Sequence, residues 1–563
     1  MLVDVSDIAH ERELSADVCI VGAGPAGLAL ARRLSRPAIR VWVLESGDLE
    51  HSPIAQSLNE IPVEASEPLK GYDFSSSRLR AVGGTAGLWD IHPEAVEGAG
   101  YARYAPLEMS DFTARSWLPH SGWPLTWDDL RSHYEEAQSL CGLGPFDYGA
   151  SSYEEGDCHR LPLADSMVHT AIFQLGPKHL FTDTSVKDAP GIMLCTRATV
   201  TGLETDEGNN TVTACRVARP DGASFRLAAR SFVLAAGAVE NARLLLSTAD
   251  TRRRALGNGA DLVGRFFMEH PVTLVGRFWP RDRALFDSSG FYDIRRVRGI
   301  PVMGHLTVAE AKRARQGLLG LGMLLVPRPR VHARAAVHSP KASGSLTWRR
   351  LPGDLGRYVR NHGTRLTHVS RYAYDRVIKR AYSHSMNRGG WSARSGNARR
   401  YWFFDVFGGV EQVPDPHHRV TLTDELDALG QRRAHVRWGW NDAEIHTIVC
   451  TQQILAEEVQ RTRLGRFEPR SISPAERPPL HGAHHHLGTT RMHRSAASGV
   501  VDEDCRVHGT TNLFVAGGSL FPTAGYVNPT LTIVALAARL GDRLLQEALP
   551  SAAGPRVDPG VKE

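Results

Sequence analysis

The sequence DVCIVGAGPAGLALARRL, at residues 17–34, joins an apolar run to a glycine-rich turn and then to an apolar helical pattern. A short run that is apolar at every position predicts a parallel strand buried on both faces. The spacing Gly22-x-Gly24-x-x-Gly27 allows a tight turn, close approach of the backbone to a diphosphate, and close packing of helix on strand. The stretch therefore predicts a dinucleotide-binding strand–helix unit.

A second strand and an acid complete this unit. Residues 40–44 read RVWVL, and Glu45 follows them. A carboxylate at the end of the second strand, about 20 residues after the glycines, can hold the hydroxyl groups of a ribose. The N-terminus of the intervening helix favours the negative charge of the phosphates. These residues alone do not distinguish FAD from NAD.

A second polar and glycine-rich block lies near the other end of the chain. Its three pieces are HHHLGTT at 484–490, NLFVAGGS at 512–519 and AGYVNPTLT at 524–532. A few polar side chains set in slim backbone are typical of a buried site that a flat ligand can approach. An apolar pattern after this block predicts a helix over 531–549.

A metal site is the alternative interpretation of the histidines in this block. Adjacent positions converge poorly on one ion, and neither a carboxylate nor a cysteine lies near them in the sequence. We therefore predict that no metal is bound by the five histidines of this region, His481, His484, His485, His486 and His493.

Composition places the chain among ordinary soluble globular proteins. Of its 563 residues, 42% are hydrophobic and 23% are charged, and the length favours two domains. The seven cysteines are scattered and form no CxxC pair, which argues against a disulfide framework and favours a reducing compartment. Residues 1–7 show no secretory signal, and no apolar run reaches the roughly 18 residues that a membrane span needs. We expect a cytoplasmic protein.

Further motifs follow one another in an order that identifies a family. The set comprises the glycine unit with Glu45, Val82-Gly83-Gly84-Thr85 with Trp89, Gly122-Trp123-Pro124, Ala236-Gly237 with Glu240-Asn241-Ala242-Arg243, Val263-Gly264-Arg265, Glu411-Gln412, His485-x-x-Gly488-Thr489, and Asn528-Pro529-Thr530. With these motifs the chain resembles the glucose–methanol–choline (GMC) flavoprotein oxidoreductases. It is most similar to their sugar-oxidising branch, the pyranose oxidases and bacterial glycoside oxidases. The resemblance covers nearly the whole chain apart from about 280 to 400.

The resemblance implies FAD as the cofactor and assigns roles to two polar residues. In the family, a histidine three residues before a Gly-Thr pair faces N5 of the flavin and removes the proton of the substrate hydroxyl, and the matching residue is His485. The partner before Pro-Thr is Asn528, whose amide can hold the developing alkoxide. The hydride passes to flavin N5, because the hydride chemistry belongs to the cofactor. The predicted catalytic residues are therefore His485 and Asn528.

The other residues that the resemblance assigns surround the cofactor. They are Gly22, Gly24, Gly27, Glu45, Ser46, Arg80, Gly83, Gly84, Thr85, Trp89, Val200, Ala236, Glu240, Gly517, Gly518, Asn528, Pro529 and Thr530. Pyranose oxidases that attach FAD covalently carry a histidine in the glycine loop just before the tryptophan. Leu88 occupies that place in this chain, and we therefore predict non-covalent FAD.

The motifs also divide the chain. We predict an α/β (α+β) fold, in which a Rossmann-like FAD-binding domain is interleaved in sequence with a second, antiparallel-sheet substrate-binding domain. The expected ranges are 1–100, 192–275 and 481–550 for the FAD-binding domain, 101–191 and 276–480 for the substrate-binding domain, and 551–563 for a flexible tail. Within the first domain, short apolar runs over 192–235 predict a β-meander that leads into a second glycine–helix junction.

The predicted function is FAD-dependent oxidation of a hydroxyl group of a sugar, glycoside or related polyol to a carbonyl. The expected partners are that substrate and an electron acceptor, which is O2, a quinone or a redox protein, and no nucleic acid is expected. Two alternatives stay open, namely a flavin-dependent lyase or isomerase acting on a sugar-like substrate, and a non-catalytic flavin-binding partner protein. The intact pair of His485 and Asn528 argues against the second alternative.

A strongly basic insert lies within the predicted substrate-binding domain. Residues 328–400 contain 17 Lys and Arg against two acids, a local charge of +15 in a chain whose net charge is +5. A solvated face or a lid is the ordinary interpretation. The sharper interpretation is weak contact with an anionic membrane surface or with an acidic redox partner.

Overall fold

The computed structural model contains 18 strands in the part of the chain that it describes, which is residues 1–61, 72–93, 100–156, 158–182, 184–249, 255–330, 386–473 and 475–548. The strands are β1 (Leu2–Asp4), β2 (Glu13–Val21), β3 (Val41–Leu44), β4 (Tyr101–Tyr104), β5 (Val168–Pro177), β6 (Ile192–Thr196), β7 (Thr199–Thr205), β8 (Val212–Ala218), β9 (Ser224–Leu234), β10 (Val272–Pro280), β11 (Arg295–Val297), β12 (Ile300–Val308), β13 (Leu321–Arg328), β14 (Phe403–Val410), β15 (Arg419–Leu426), β16 (Arg432–Arg437), β17 (Gly465–Pro469) and β18 (Leu513–Val515).

The α-helices of the same residues are fewer, and short 3-10 turns join several of them to neighbouring strands. The helices are α1 (Pro25–Leu34), α2 (Pro53–Ser57), α3 (Met109–Phe112), α4 (Trp127–Leu140), α5 (His179–Thr182), α6 (Ala238–Leu246), α7 (Leu285–Ser288), α8 (Glu310–Gln316), α9 (Asn397–Arg400), α10 (Asp442–Arg461) and α11 (Thr530–Ala548). The longest are α10 and α11, and α11 begins within the glycine-rich block near the end of the chain.

The first sheet contains the predicted strand–turn–helix unit. Its strand order is β1-β6-β3-β2-β9-β8-β7. Strand β18 pairs with the last residues of β9, beyond the part of that edge that β8 occupies. Pairing is parallel from β1 to β9, as expected for strands that are apolar at every position. Helix α1 follows β2 in the chain and packs against α11. This is the Rossmann-like part of the predicted fold, and the prediction of fold class is confirmed.

The predicted meander over 192–235 is only partly correct. The antiparallel run β7-β8-β9 exists, but β6 leaves it and pairs in parallel with β1 and β3. The two apolar runs at 225–227 and 232–234 are one strand, β9. The two runs form one long strand because β9 pairs with several other strands. It pairs with β2 along one edge, while β8 and β18 share the other edge.

The second sheet is antiparallel, with the order β17-β10-β14-β13-β12-β5-β4 and β11 added beside β12. Its strands come from two stretches of sequence, at 101–177 and 272–469, which alternate with the three stretches that form the first sheet. We propose the predicted domain ranges on this basis, with one change. The boundary predicted at 275 falls inside β10, which begins at Val272, and we move it to 271.

Two sequence predictions concern residues outside the described ranges. The flexible tail at 551–563 lies there, as does most of the basic insert, since 331–385 are not described. Among the residues that are described, no helix combines the length and the apolar character needed to cross a bilayer.

Candidate active site

Two neighbouring cavities border the histidine block at 484–486. The smaller, of about 250 Å³, is lined by the turn after β2 and by several helix starts, and we call it the glycine cavity. The larger, of about 510 Å³, lies against the second sheet, and we call it the sheet cavity. The two cavities share four lining residues, which are Thr85, Trp89, His484 and His485.

Most residues predicted to contact the cofactor line the glycine cavity. They are Gly22, Gly24, Glu45, Ser46, Arg80, Gly84, Thr85, Trp89, Val200, Ala236, Glu240, Gly517, Gly518, Pro529 and Thr530. The structure places Gly27 behind this wall, where a Cβ would lie 2.0 Å from the carbonyl oxygen of Gly22. Gly83 also lies behind it, and Asn528 lines the sheet cavity instead.

The turn between β2 and α1 presents backbone to the glycine cavity. Gly22 has a φ of 106°, and a Cβ on it would lie 2.7 Å from the carbonyl oxygen of Ala235. The predicted loop at Gly84 comes so close that its Cβ would lie 3.0 Å from Cα of Gly24. Helices α1, α6 and α11 all begin at this cavity. Because free N–H groups and helix dipoles favour negative charge, this wall suits a diphosphate.

Glu45 lies at the end of β3, as predicted, and is only 6% exposed. Its carboxylate accepts hydrogen bonds from the backbone N–H groups of Ala23, at 2.9 Å, and Gly47, at 2.8 Å. Burial raises the pKa of Glu45, and these donors act in the opposite direction. The acid therefore braces the glycine turn as well as facing the cavity.

A cluster of arginines surrounds Glu240 at the same cavity. Arg78 and Arg80 pair with its two carboxylate oxygens at 2.7 and 2.8 Å, and Arg243 approaches at 3.3 Å. Burial by itself would raise the pKa of Glu240, but the three guanidinium groups outweigh it and hold that pKa well below its usual range. Arg80 also donates to the hydroxyl of Ser46 at 2.7 Å. The cluster thus links α6 to the end of β3.

His485 lies between the two cavities and is held by two side chains. Its Nε2 is 3.3 Å from Nδ2 of Asn528, and its Nδ1 is 2.9 Å from Nδ1 of His270. Burial, with smaller contributions from neighbouring histidines, lowers the pKa of His485 well below 6.5, and burial lowers that of His270 to about 4. Both rings are therefore neutral at neutral pH. A hydrogen bond between the two Nδ1 atoms requires that one of the two neutral rings carries its proton on Nδ1. The ring that carries it there has no proton on Nε2, and that nitrogen keeps its lone pair.

The backbone of the histidine block is anchored by the buried carboxylate of Glu269. It accepts the N–H groups of His485 and Ala483, both at 2.9 Å, and the hydroxyl of Tyr72 at 3.0 Å. Burial raises the pKa of Glu269 to about 7, against the effect of these donors. Gln412, one of the motif residues, accepts the backbone N–H of Glu269 at 2.9 Å. Glu269, which is itself held by Gln412, therefore fixes the backbone position of His485.

The three adjacent histidines point to different surroundings. The ring of His486 lies 2.9 Å from the hydroxyl of Tyr72 and packs near Phe74 and Phe267. His484 has a left-handed φ of 65° and is exposed. Within the described residues, no three groups of metal-ligand type converge. Only His485 meets both cavities and an amide partner together.

Two models of protein families match this chain. The FAD binding domain matches residues 17–265, and the GMC oxidoreductase model matches residues 414–537. These ranges contain the glycine turn and the histidine block that meet at the cavities.

The chain belongs to the GMC oxidoreductase family.

Relatives support this assignment over the whole chain and locally. The fructose dehydrogenase large subunit of Gluconobacter japonicus is 24% identical over 95% of this chain and 98% of its own. The C-glycoside 3-oxidase of Arthrobacter globiformis is 46% identical over 94 residues, or 16% of this chain and 18% of its own. The solved structure of pyridoxine 4-oxidase from Mesorbium loti has the same fold, with a TM-score of 0.51 and 16% identity over 94% of this chain and 99% of its own.

This GMC protein is an FAD-dependent oxidoreductase, and its glycine cavity fits that cofactor. Three helix starts can hold the diphosphate, and Glu45 is placed for the ribose. Thr85, Trp89 and His485 lie where the glycine cavity meets the sheet cavity. The predicted cofactor is confirmed as FAD, while its mode of attachment stays a prediction.

Sequence analysis missed His270 as a neighbour of the site. In sequence, His270 follows Glu269, and a Glu-His pair is more often a structural hydrogen-bonded pair than part of a site. In the structure Glu269 plays the structural part, and His270 turns its ring to His485. The two histidines are 215 residues apart, so no local pattern could have paired them.

The walls of the sheet cavity were also not predicted. They come from β4, β5, β10, β13 and β14 and from the loop before the histidine block. The lining includes slim or apolar residues, such as Gly322, Gly409 and Leu324, and several charged side chains. Tyr526 adds a buried hydroxyl 3.2 Å from Nε2 of His305.

Proposed function

We propose that this GMC oxidoreductase oxidises a hydroxyl group of a sugar, glycoside or related polyol to a carbonyl. His485 removes the hydroxyl proton, and Asn528 holds the oxygen. The observation that carries the proposal is the position of His485, whose Nε2 lies beside the Asn528 amide at the boundary between the glycine cavity and the sheet cavity. The relatives whose names specify fructose and C-glycosides support the substrate class.

His485 suits the role of a base because it is neutral and oriented. A buried ring with a lowered pKa carries no proton at neutral pH, so its Nε2 lone pair is available. Nδ1 of His270 accepts a hydrogen bond from the Nδ1–H of His485, and this bond fixes the tautomer that leaves Nε2 without a proton. The amide N–H of Asn528 can donate to the oxygen as negative charge develops on it. Bound FAD supplies the acceptor for the two electrons that leave the substrate carbon.

A panel of sugars, glycosides and polyols mixed with the holoprotein without O2 tests the proposal. We expect the flavin absorbance to bleach with at least one member of the panel and a carbonyl product to form. Product without bleaching would indicate a lyase or isomerase instead. Neither product nor bleaching would indicate a flavin-binding protein without turnover. Reoxidation of the bleached protein by O2, by a quinone or by neither then distinguishes an oxidase from a dehydrogenase that uses another acceptor.

We propose that FAD is bound non-covalently, because Leu88 occupies the place where covalent pyranose oxidases have a histidine. Precipitation in acid checks this directly. We expect the yellow colour in the supernatant, and colour retained in the pellet would contradict the proposal.

We propose that the protein works in the cytoplasm, since its seven cysteines form no disulfide in the described part of the chain and five of them are buried. Contact with an anionic membrane surface through the basic insert stays a proposal, supported only by the charge of 328–400. Co-sedimentation with anionic vesicles at low salt tests it, and no binding there would dismiss it.

A further inference from the structure

We propose that Arg103 forms an anion-binding subsite in the sheet cavity, so that the sugar oxidised at His485 carries a carboxylate or phosphate group. This inference rests on the proposed function, because it specifies the substrate of the same site. It is carried by the position, burial and missing counter-charge of one arginine.

Arg103 lies on the edge strand β4 and lines the sheet cavity. Its guanidinium donates to the backbone carbonyl of Met386, and its Nε is buried without a hydrogen-bond partner. No carboxylate in the described part of the chain pairs with it. A guanidinium has five N–H donors in a planar fork, so most of the donors of Arg103 are free for a ligand.

Other buried arginines of this protein differ because they have carboxylate partners. Arg115 binds Glu411 and Asp111, and Arg313 binds Glu108. Within the sheet cavity itself, Arg277 pairs with Asp405 at 3.2 Å. The general pattern of the fold is therefore to neutralise a buried guanidinium. Arg103 departs from it at a place where a ligand can supply the missing charge.

Arg491 is a useful contrast, because it also lacks a carboxylate partner. Its guanidinium lies 4.4 Å from the ring centre of Phe266 and donates to the carbonyl of His120, and it lines neither cavity. The ring face offsets part of the charge without a ligand, although Nε and Nη1 of Arg491 are also buried without a hydrogen-bond partner among the described residues. Arg103 has no such ring contact among the described residues. Burial lowers the pKa of Arg103 to about 10, but the group stays charged at neutral pH.

The charges around the cavity favour an anion over a cation. Arg470 also lines the cavity, and the described residues give it no ion pair, only a long contact of 3.4 Å with the hydroxyl of Thr273. The acids on the wall are Asp405, which is shared between two arginines, and Asp90, whose side chain is 75% exposed. A cationic amino sugar would meet net positive charge there, whereas an acidic sugar would be attracted.

Arg103 and His485 line the same cavity, which has a volume of about 510 Å³. One sugar ring can therefore place a hydroxyl at His485 while an anionic substituent reaches Arg103. A bidentate contact between guanidinium and carboxylate fixes direction as well as affinity. The subsite would select which hydroxyl of the ring is presented to His485 and Asn528.

Calorimetric binding to the oxidised holoprotein, with D-glucuronate, D-glucose 6-phosphate and D-glucose as probes, tests the subsite without turnover. We expect at least one of the two anionic sugars to bind about tenfold to a hundredfold more tightly than glucose. We expect Arg103→Met to lose that preference while its affinity for glucose changes less than about threefold. The stronger of the two anions identifies the carboxylate or the phosphate as the ligand.

The control is Arg466→Met, which removes the same charge from a side chain that is 68% exposed on β17. It should leave every affinity unchanged. Equal binding of neutral and anionic sugars by the wild-type protein would overturn the inference, and so would an Arg103→Met variant that keeps the preference. If an anionic sugar binds through Arg103 but no sugar bleaches the flavin, the subsite stands and the proposed oxidation fails.

Discussion

The two cavities of this protein differ in whether backbone or side chains form their walls. The glycine cavity is walled by backbone, with tight glycine contacts and three helix starts around it. The sheet cavity is walled by side chains from five strands of an antiparallel sheet. A wall made of backbone keeps its shape when side chains change. It therefore suits a ligand that is the same in every member of a family. Side-chain walls can change residue by residue, which is how one fold serves different substrates.

His485 is the point at which the two cavities meet. It belongs to the wall of both, and its two ring nitrogens face Asn528 and His270. If the cavities have separate tasks, changes at their boundary should stop the chemistry without releasing the cofactor. Changes in the glycine wall should release the cofactor first.

The largest effect is expected from His485→Ala. Loss of the base should lower the rate of flavin reduction by about a hundredfold to ten thousandfold, while FAD stays bound. Stopped-flow reduction without O2 and the flavin spectrum of the purified protein measure the two quantities. His446→Ala, at an exposed histidine on α10, serves as the control and should reduce at the normal rate. Normal reduction by His485→Ala would remove the residue from the proposed mechanism.

Gly22→Ala should disturb the glycine cavity. Its φ of 106° and its 2.7 Å approach to Ala235 leave no place for a methyl group, so the turn must move. We expect the affinity for FAD to fall about a hundredfold or more, measured by fluorescence titration of the apoprotein. Gly259→Ala is the matched control, since a Cβ at Gly259 meets nothing within 4 Å. FAD binding that is equal in the two variants would contradict a backbone-shaped wall.

His270→Ala should slow the chemistry less than loss of the base itself. Without the ring at 2.9 Å, His485 keeps its place but loses the partner that fixes its tautomer. We expect flavin reduction to slow about tenfold to a hundredfold with FAD still bound. His270→Asn, which restores a hydrogen-bonding side chain, should recover part of the rate. If the alanine variant is as fast as wild type, the contact is structural only.

The smallest effect is expected from pH. His270 has a pKa of about 4 in the folded state and 6.5 as the ordinary value, so the unfolded chain binds the proton first as pH falls. Its contribution to stability is full above pH 6.5 and is lost as pH falls towards 4. Between pH 7 and 5 this amounts to about 2 kcal/mol at most.

The pKa of Glu269 is raised from 4.5 to about 7, so its effect on stability has the opposite dependence on pH. Its contribution to the free energy of unfolding is complete below pH 4.5 and is lost as the pH rises through 7. Denaturation of wild type and His270→Ala at the two pH values isolates the histidine. We expect the acid sensitivity to be smaller in the variant. An identical dependence on pH in both proteins would show that His270 is not buried as a neutral ring.

The cofactor side of the protein could be predicted from sequence because its signals are local. A strand, a three-glycine turn and a helix lie within residues 17–34, and the acid at Glu45 follows soon after. Such a turn tolerates few other residues, since only glycine allows the φ values and close approaches that the structure contains. His485 could be singled out among three histidines by its spacing to Gly488.

The sheet cavity could not be predicted, because the residues that line it come together only in the folded chain. His270 and His485 are 215 residues apart, and Arg103 lines a cavity with side chains such as Asp405. Side chains alternate between the faces of a strand, and strand order decides which of them share a wall. The sequence alone thus determined the fold class, the cofactor and the candidate base. Tertiary structure decided which charged side chains line the sheet cavity, because long-range strand pairing leaves no pattern in the neighbouring sequence.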